Sequence, residues 1–299
     1  MFSEKSSREN KLDLISSGWD DYQLLDSGSQ QKLERFGIVQ LARFEPEAIW
    51  KPALTNNIWD QSDAVYSIFP NSTQGVWKIQ TEKVHDWCIS YDQVTFSLSV
   101  TGSRHIGIFP EQQPNWDWLS KTMTGVQKPI KILNLFAYTG GLTLIATKSG
   151  SHVTHVDASK SAIQQTRKNM LLSNLGHLPV RLIIDDALQF VQREIRRGNK
   201  YDGIILDPPA FGRGPKRQVW KFEKSLPELL NACSQILTAD PALFLLTAYN
   251  INNSIVEIKD WVTSILRLPA GRIEYGDVIQ KEKSAGRMIK QAVYFRWRK

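Results

Sequence analysis

From residue 131 onward the chain alternates between two periodicities. Short apolar runs of strand length, KILNLF (131–136), HVTHVD (152–157), VRLIID (180–185), YDGIILD (201–207) and ALFLLTAY (242–249), are separated by stretches with helical spacing. LTLIATKSG stops at Gly150, and SKSAIQQTRKNMLLSNLG has Ser159 as a candidate N-cap and Gly176 at its end. ALQFVQREIRRG follows the third run, and further helices are expected near 224–237 and 255–266. Strands alternating with amphipathic helices bury their apolar faces as a mostly parallel sheet covered on both sides. The last stretch, 271–298, breaks the pattern: two strand-like runs are joined by a polar, Gly-containing link without a helix. That arrangement specifies an antiparallel hairpin. The expected fold is an α/β sheet that closes on a reversed strand.

The preceding part reads differently. Residues 1 to about 18 are polar and aperiodic, and are expected to be a flexible arm. Between 19 and 105, short apolar segments such as FGIVQLARF (36–44), GVWKI (75–79) and VTFSLSV (94–100) are punctuated by Gly, Pro, Asn and Asp. This pattern indicates a small β-rich N-terminal domain, with the α/β domain occupying 106–299. A chain of 299 residues, 41% of them hydrophobic, can fill both cores. Several of its ten tryptophans, among them Trp19, Trp50, Trp59, Trp77 and Trp87, fall in the β-rich part, where core positions are expected before a base-stacking surface. The net charge of +7 suits a polyanionic partner. The two cysteines, Cys88 and Cys233, lack any zinc-ligand spacing and read as buried thiols in a reducing compartment. No apolar run reaches the roughly 18 residues needed to cross a membrane, and MFSEKSSRENKL is not a signal peptide. A cytoplasmic protein with neither a metal nor a membrane association is expected.

In doubly wound sheets ligands sit at the carboxyl ends of the strands, so the residues after each strand carry the functional information. The first strand is followed by FAYTGG, in which Phe136, Ala137, Tyr138, Thr139 and Gly140 form a glycine turn at a helix N-terminus. It is not the GxGxxG of dinucleotide enzymes. Asp157, followed by Ala158 and Ser159, ends the second strand, where a carboxylate can accept from both hydroxyls of a ribose; its alternative is a helix cap. Asp185 and Asp186 end the third, beside the apolar Ala187. One of the pair can take the amine of an adenine, with Asp186 the candidate, and the other caps a helix. Together these features fit an adenosine-bearing ligand without a pyrophosphate, and point to S-adenosylmethionine.

The fourth strand ends in DPPAF. The Asp207 carboxylate and Pro208 carbonyl can accept from a planar amine, and Phe211 can stack on an aromatic ring. These are the groups needed to hold a flipped-out nucleobase against a methyl donor. GRGPKRQVWKF then reads as a mobile lip, with Arg213, Lys216 and Arg217 meeting phosphates and Trp220 stacking on a neighbouring base.

LNLFAYTGG, HVDASK, IIDDALQFV and DPPAFGRG resemble the motifs of class I S-adenosylmethionine-dependent methyltransferases. The nearest group is similar to bacterial large-subunit ribosomal RNA methyltransferases, whose TG-x-F-x-DQ stretch GIFPEQQ (107–113) resembles, with Ile106 and Pro110–Glu111 as departures. The resemblance implies a Rossmann-like seven-stranded sheet with an antiparallel last strand, and places Phe109 and Gln112 near the cofactor. Relatives that methylate carbon 5 of cytosine carry a cysteine nucleophile beyond the fifth strand. LLTAYN (245–250) has none, which favours a nucleobase nitrogen of RNA as acceptor. The alternatives are methylation of a protein or small molecule, an RNA-binding relative without turnover, and a nicotinamide dehydrogenase.

Overall fold

The computed structural model describes residues 7–69, 72, 74–126, 128–215 and 218–299. The described part of the expected flexible arm is not loose: it holds two strands, β1 (Arg8–Lys11) and β2 (Leu14–Ser16). Both run parallel to the strand Arg272–Lys281, pairing Arg8 with Arg272 and Leu14 with Val278. Their order comes from backbone pairing more than from side-chain burial: all four residues of β1 are exposed, and Leu14 alone enters the cluster with Val278, Ala292 and Tyr294. The Tyr294 hydroxyl adds a bond to the Leu12 carbonyl at 2.7 Å. The arm covers what would otherwise be a long open sheet edge.

The β-rich unit contains β3 (Tyr22–Gly28), β4 (Gln31–Phe36), β5 (Val39–Phe44), the short helix α1 (Asn56–Trp59), β6 (Ala64–Ile68) and β7 (Gly75–Ile79). These five strands form one sheet in sequence order. FGIVQLARF therefore holds a turn as well as a strand, with Gly37 at φ +62° between Phe36 and β5. A separate hairpin, β8 (Trp87–Tyr91) with β9 (Val94–Leu98), leaves this sheet and lies on the α/β unit.

The α/β unit runs α2 (Gln113–Thr124), β10 (Lys131–Leu135), α3 (Gly141–Lys148), β11 (His152–Asp157), α4 (Lys160–Leu172), β12 (Val180–Ile184), α5 (Ala187–Arg197) and β13 (Gly203–Leu206). It continues with the small hairpin β14 (Phe211–Arg213) and β15 (Val219–Lys221), α6 (Phe222–Ser234), β16 (Leu243–Tyr249) and α7 (Ile255–Leu266). It ends in β17 (Arg272–Lys281) and β18 (Met288–Arg298). The sheet order is β1-β17-β18-β16-β13-β10-β11-β12, with β2 also on β17. The expected seven strands are all there, β18 runs antiparallel to both neighbours, and the arm raises the total to nine. Strand order reverses between β10 and β13, which puts the crevice at their carboxyl ends.

The two units share a core. One apolar cluster runs from Trp19, Phe36 and Trp87 through Trp116 to Ile132 and Leu144. Ser97 N–H donates to Asn169 Oδ1 on α4 at 2.9 Å, tying β9 to the α/β unit. The tryptophans Trp19 and Trp87 are buried, as core residues should be.

Candidate active site

The turn after β10 is tightly curled, with Phe136, Tyr138 and Gly140 all at positive φ. Two non-glycine residues in that region are costly, and the surroundings hold them there. The Tyr138 amide donates to Asp157 Oδ2 at 2.7 Å, and Thr166 Oγ1 donates to the Tyr138 carbonyl at 3.1 Å. The glycines serve packing as much as ligand approach. Gly140 has φ +91°, and a Cβ there would lie 2.6 Å from Thr166 Cγ2, while one on Gly141 would press on the Trp116 ring.

A cavity of about 730 Å³ opens at this edge of the sheet. Phe136, Tyr138, Asp157, Ala158, Asp186, Ala187, Asp207, Pro208, Phe211 and Phe109 all line it, so four separate strand ends and the segment before α2 converge as the sequence suggests. Five expected cofactor residues stand behind the wall. Ala137, Thr139 and Gly140 are buried in the turn, with Thr139 Oγ1 donating to the Gly107 carbonyl at 2.7 Å. Ser159 caps α4 by accepting from Ala162 N–H at 3.2 Å. Gln112 is buried and donates to the Tyr249 hydroxyl at 2.8 Å, acting on the cavity through that tyrosine.

Each carboxylate has a distinct setting. Asp157 accepts from Tyr138 N–H and Ser159 N–H, at 2.7 and 2.8 Å, and does not cap α4. Burial pushes its pKa up, against the pull of those two amides. Asp186 is itself the helix cap, accepting from Gln189 N–H at 3.0 Å, so the residue expected to meet the adenine also holds the start of α5. Asp185 accepts from the Asp186 amide and pairs with Arg193. Asp207 accepts from Thr247 Oγ1 at 2.8 Å. Burial, with added repulsion from Glu111 and Asp157, pushes Asp207 up to about 7 despite that hydrogen bond.

The lip differs from expectation. Phe211–Arg213 and Val219–Lys221 pair as the antiparallel β14–β15 hairpin and are not a loose loop. Phe211, 56% exposed, stands at the cavity mouth, and Arg213 lies beside it. Trp220 is no exposed stacking platform: it is only 6% exposed, its indole N–H donates to the Pro209 carbonyl at 2.7 Å, and its ring packs 4.8 Å from that of Phe136. An apolar ring with a single N–H is better placed bracing the DPP turn than facing water. Lys216 and Arg217 lie outside the described residues.

Several cavity residues escaped the sequence reading. Tyr249, the last residue of β16, lines the cavity, so the strand-end rule that found the four acids extends to a fifth strand, while Thr247 lies buried behind it and acts through its hydrogen bond to Asp207. Glu111 lies within the GIFPEQQ stretch, is 3% exposed and has its pKa raised by burial. Lys32, Arg43, Arg104 and His105 line the cavity from the β-rich side, and no local sequence signal connects them to DPPAF.

Size and donor set suit S-adenosylmethionine. Asp157 is available to a ribose, and Glu111, Asp157 and Asp207 have no ion-pair partner among the described residues, a setting that favours a cationic sulfonium. A family model for S-adenosylmethionine-dependent methyltransferases matches residues 61–255, more than half of the chain. The chain belongs to that family. A crystal structure of the S-adenosylmethionine-dependent methyltransferase from Agrobacterium tumefaciens superposes on this methyltransferase with a TM-score of 0.93 at 36% identity, covering 99% of this chain and 96% of that one. Ribosomal RNA large subunit methyltransferase I of Tolumonas auensis is 29% identical over 181 residues, 60% of this chain and 44% of that protein. The Aeromonas salmonicida protein of the same name is 30% identical over 146 residues, 48% and 33% respectively. The methyltransferase thus spans less than half the length of these curated relatives. Among the described residues no cluster of three or more His, Cys, Asp or Glu could hold a metal, and no helix is long and apolar enough to cross a membrane.

Proposed function

We propose that this methyltransferase transfers the methyl group of S-adenosylmethionine to a nitrogen of a nucleobase in RNA, with ribosomal RNA as the substrate class, in the cytoplasm. The observation that carries the reading is Asp207: a carboxylate with no ion-pair partner among the described residues, beside Pro208 in the cavity, with an exposed aromatic, Phe211, at its mouth. The names of the two ribosomal RNA methyltransferases support the substrate class.

Bound S-adenosylmethionine supplies a methyl group already activated on a sulfonium. The chain supplies position and polarity. Asp157 would hold the ribose, and Asp186 with Ala187 the adenine. Phe211 would stack on the target base, while Asp207 and the Pro208 carbonyl accept hydrogen bonds from its amine, orienting the lone pair. A carboxyl titrating near 7 is also matched to taking the proton that the amine loses. Arg213, Lys216 and Arg217 would meet the backbone phosphates. A carbon-5 route lacks its nucleophile: Cys88 is exposed on β8 and Cys233 is buried in α6, and neither lines the cavity.

The test incubates the protein with tritiated S-adenosylmethionine and total RNA from a strain lacking its gene, beside Asp207→Ala. Label in RNA that disappears with the substitution is the expected result, and digestion then identifies the base. Cofactor binding by calorimetry without label in RNA would overturn the reading in favour of a protein or small-molecule acceptor.

A further inference from the structure

Charge is unevenly distributed around the cavity. Glu111, Asp157 and Asp207 line it without an ion-pair partner among the described residues, and the wall from the β-rich unit carries Lys32, Arg43 and Arg104 against Glu45 and Glu47. On that wall Lys32 lies 3.5 Å from Glu45, and Arg43 is bound to Glu34 at 2.6 Å. Arg104 is half-buried, lines the cavity, and has no carboxylate partner or side-chain hydrogen bond among the described residues. Arg213, on β14, is likewise without a carboxylate there.

Arg104 is held in place. The Trp77 indole donates to the Ser103 carbonyl at 2.7 Å, Thr139 Oγ1 grips the Gly107 carbonyl, and Arg43 Nη1 donates to the Arg104 carbonyl at 3.3 Å. The adjacent His105 ring packs 5.1 Å from Phe109. His105 also registers the local field: burial first, then the positive charges of Arg104, Arg43 and Lys32, push its pKa down to about 4. His105, held neutral, adds no charge of its own, so the attraction of this wall for an anion rests on Arg104, Arg43 and Lys32. A half-buried guanidinium without a carboxylate among the described residues, carried on an anchored backbone, is suited to bidentate capture of a phosphate.

We infer that Arg104 grips a backbone phosphate next to the target nucleotide, acting with Arg213 from the hairpin, so that the β-rich unit takes part in binding substrate. This rests on the RNA reading above. The acids would face the cationic donor and the basic rim the anionic strand, so the same charge separation orients both ligands.

The experiment measures binding of radiolabelled, protein-free large-subunit ribosomal RNA across a salt series, for wild type, Arg104→Gln, Arg104→Lys and Glu47→Gln. Loss of one phosphate contact lowers the slope of log affinity against log salt by about 0.7 to 0.9. Arg104→Gln is expected to show that decrease with S-adenosylmethionine affinity unchanged by calorimetry, and Arg104→Lys to restore most of the slope. Glu47→Gln removes an acid from the same wall and is expected to tighten binding. An unchanged slope in Arg104→Gln, with wild type binding RNA, overturns the inference and leaves the RNA reading intact. Wild type that binds no RNA removes both. Inhibition by 5′-mononucleotides that Arg104→Gln relieves, with the RNA slope unaltered, would assign the residue to a free nucleotide and overturn the RNA version.

Discussion

Where the β-rich sheet meets the β17–β18 hairpin, buried acids are surrounded by donors. Asp26 accepts from the Leu54 amide at 2.8 Å, the Trp59 indole at 3.0 Å, Ser284 Oγ at 2.6 Å and Arg287 Nη2 at 3.0 Å. Glu34 is held by Arg43 through two bonds of 2.6 and 2.8 Å and by the Tyr22 hydroxyl at 2.9 Å. Burial works against ionisation in both, yet these partners outweigh it and lower both pKa values. Around the cavity, Asp157, Glu111 and Asp207 undergo the same burial with too few donors, and their pKa values rise. Neighbouring parts of one molecule thus treat the same functional group in opposite ways. A carboxylate buried at this joint is supplied with partners, whereas one that awaits a ligand is left short of them, at a cost in stability.

The comparison can be broken most forcefully at Arg43. Arg43→Ala leaves the fully buried Glu34 with only the Tyr22 hydroxyl and the more distant Lys32, at 3.8 Å, and removing the main partner of a buried pair costs about 3–5 kcal/mol. Urea unfolding should show that loss; a change below about 1 kcal/mol would mean the joint is not the compensated site described.

The second test concerns sign. A carboxyl whose native pKa lies above its unfolded value binds more protons in the native state, so its stability contribution falls as pH rises between the two. For Asp207 that window runs from about 4 to about 7. Asp207→Asn should therefore match wild type near pH 3 and become more stable above pH 7, by up to about 4 kcal/mol, while losing methyl transfer. Asp26 and Glu34 act oppositely: their contribution is present above the unfolded carboxylate pKa and disappears as pH falls through their lowered values. Thermal melts across pH for both proteins check this. A variant less stable than wild type at pH 8 would contradict it.

The mildest change sharpens the contrast. Thr247→Val keeps the shape and removes the hydroxyl that Asp207 accepts from. A hydrogen bond to a charged group is worth about 1.5–3 kcal/mol, so the midpoint of the pH–rate profile should move up by about one to two units. A profile that does not move would show that Asp207 does not govern the titration.

Much of this molecule was readable before any coordinates. HVTHVD is the strand β11 from end to end, Ile255–Leu266 is α7, and the terminal hairpin follows from a link too polar to be a helix. Asp157 and Asp207 were found because strand ends in a parallel sheet converge on one edge, and that convergence follows from the alternation of periods along the chain. Gly140 was also identified, although its main physical reason, the space beside Thr166, depends on a helix some twenty-six residues on.

The rest depended on contacts between parts distant in sequence. The arm RENK has no apolar pattern, and only the open edge of β17 gives its backbone a partner. Trp220 looked like an exposed aromatic because its neighbours are basic, but the DPP turn folds over it. Lys32, Arg43 and Arg104 reach the cavity because the β-rich sheet is joined to β17 and β18 through Lys32–Gln280 and Asp26–Arg287, across gaps of about 250 residues. Periodicity and strand-end chemistry act over a few residues, so the sequence by itself determined the sheet, its helices and the acids of the cavity. Which wall faces those acids, and which carboxylates are left without partners, was decided only by tertiary packing, because burial and ion pairing belong to the assembled structure.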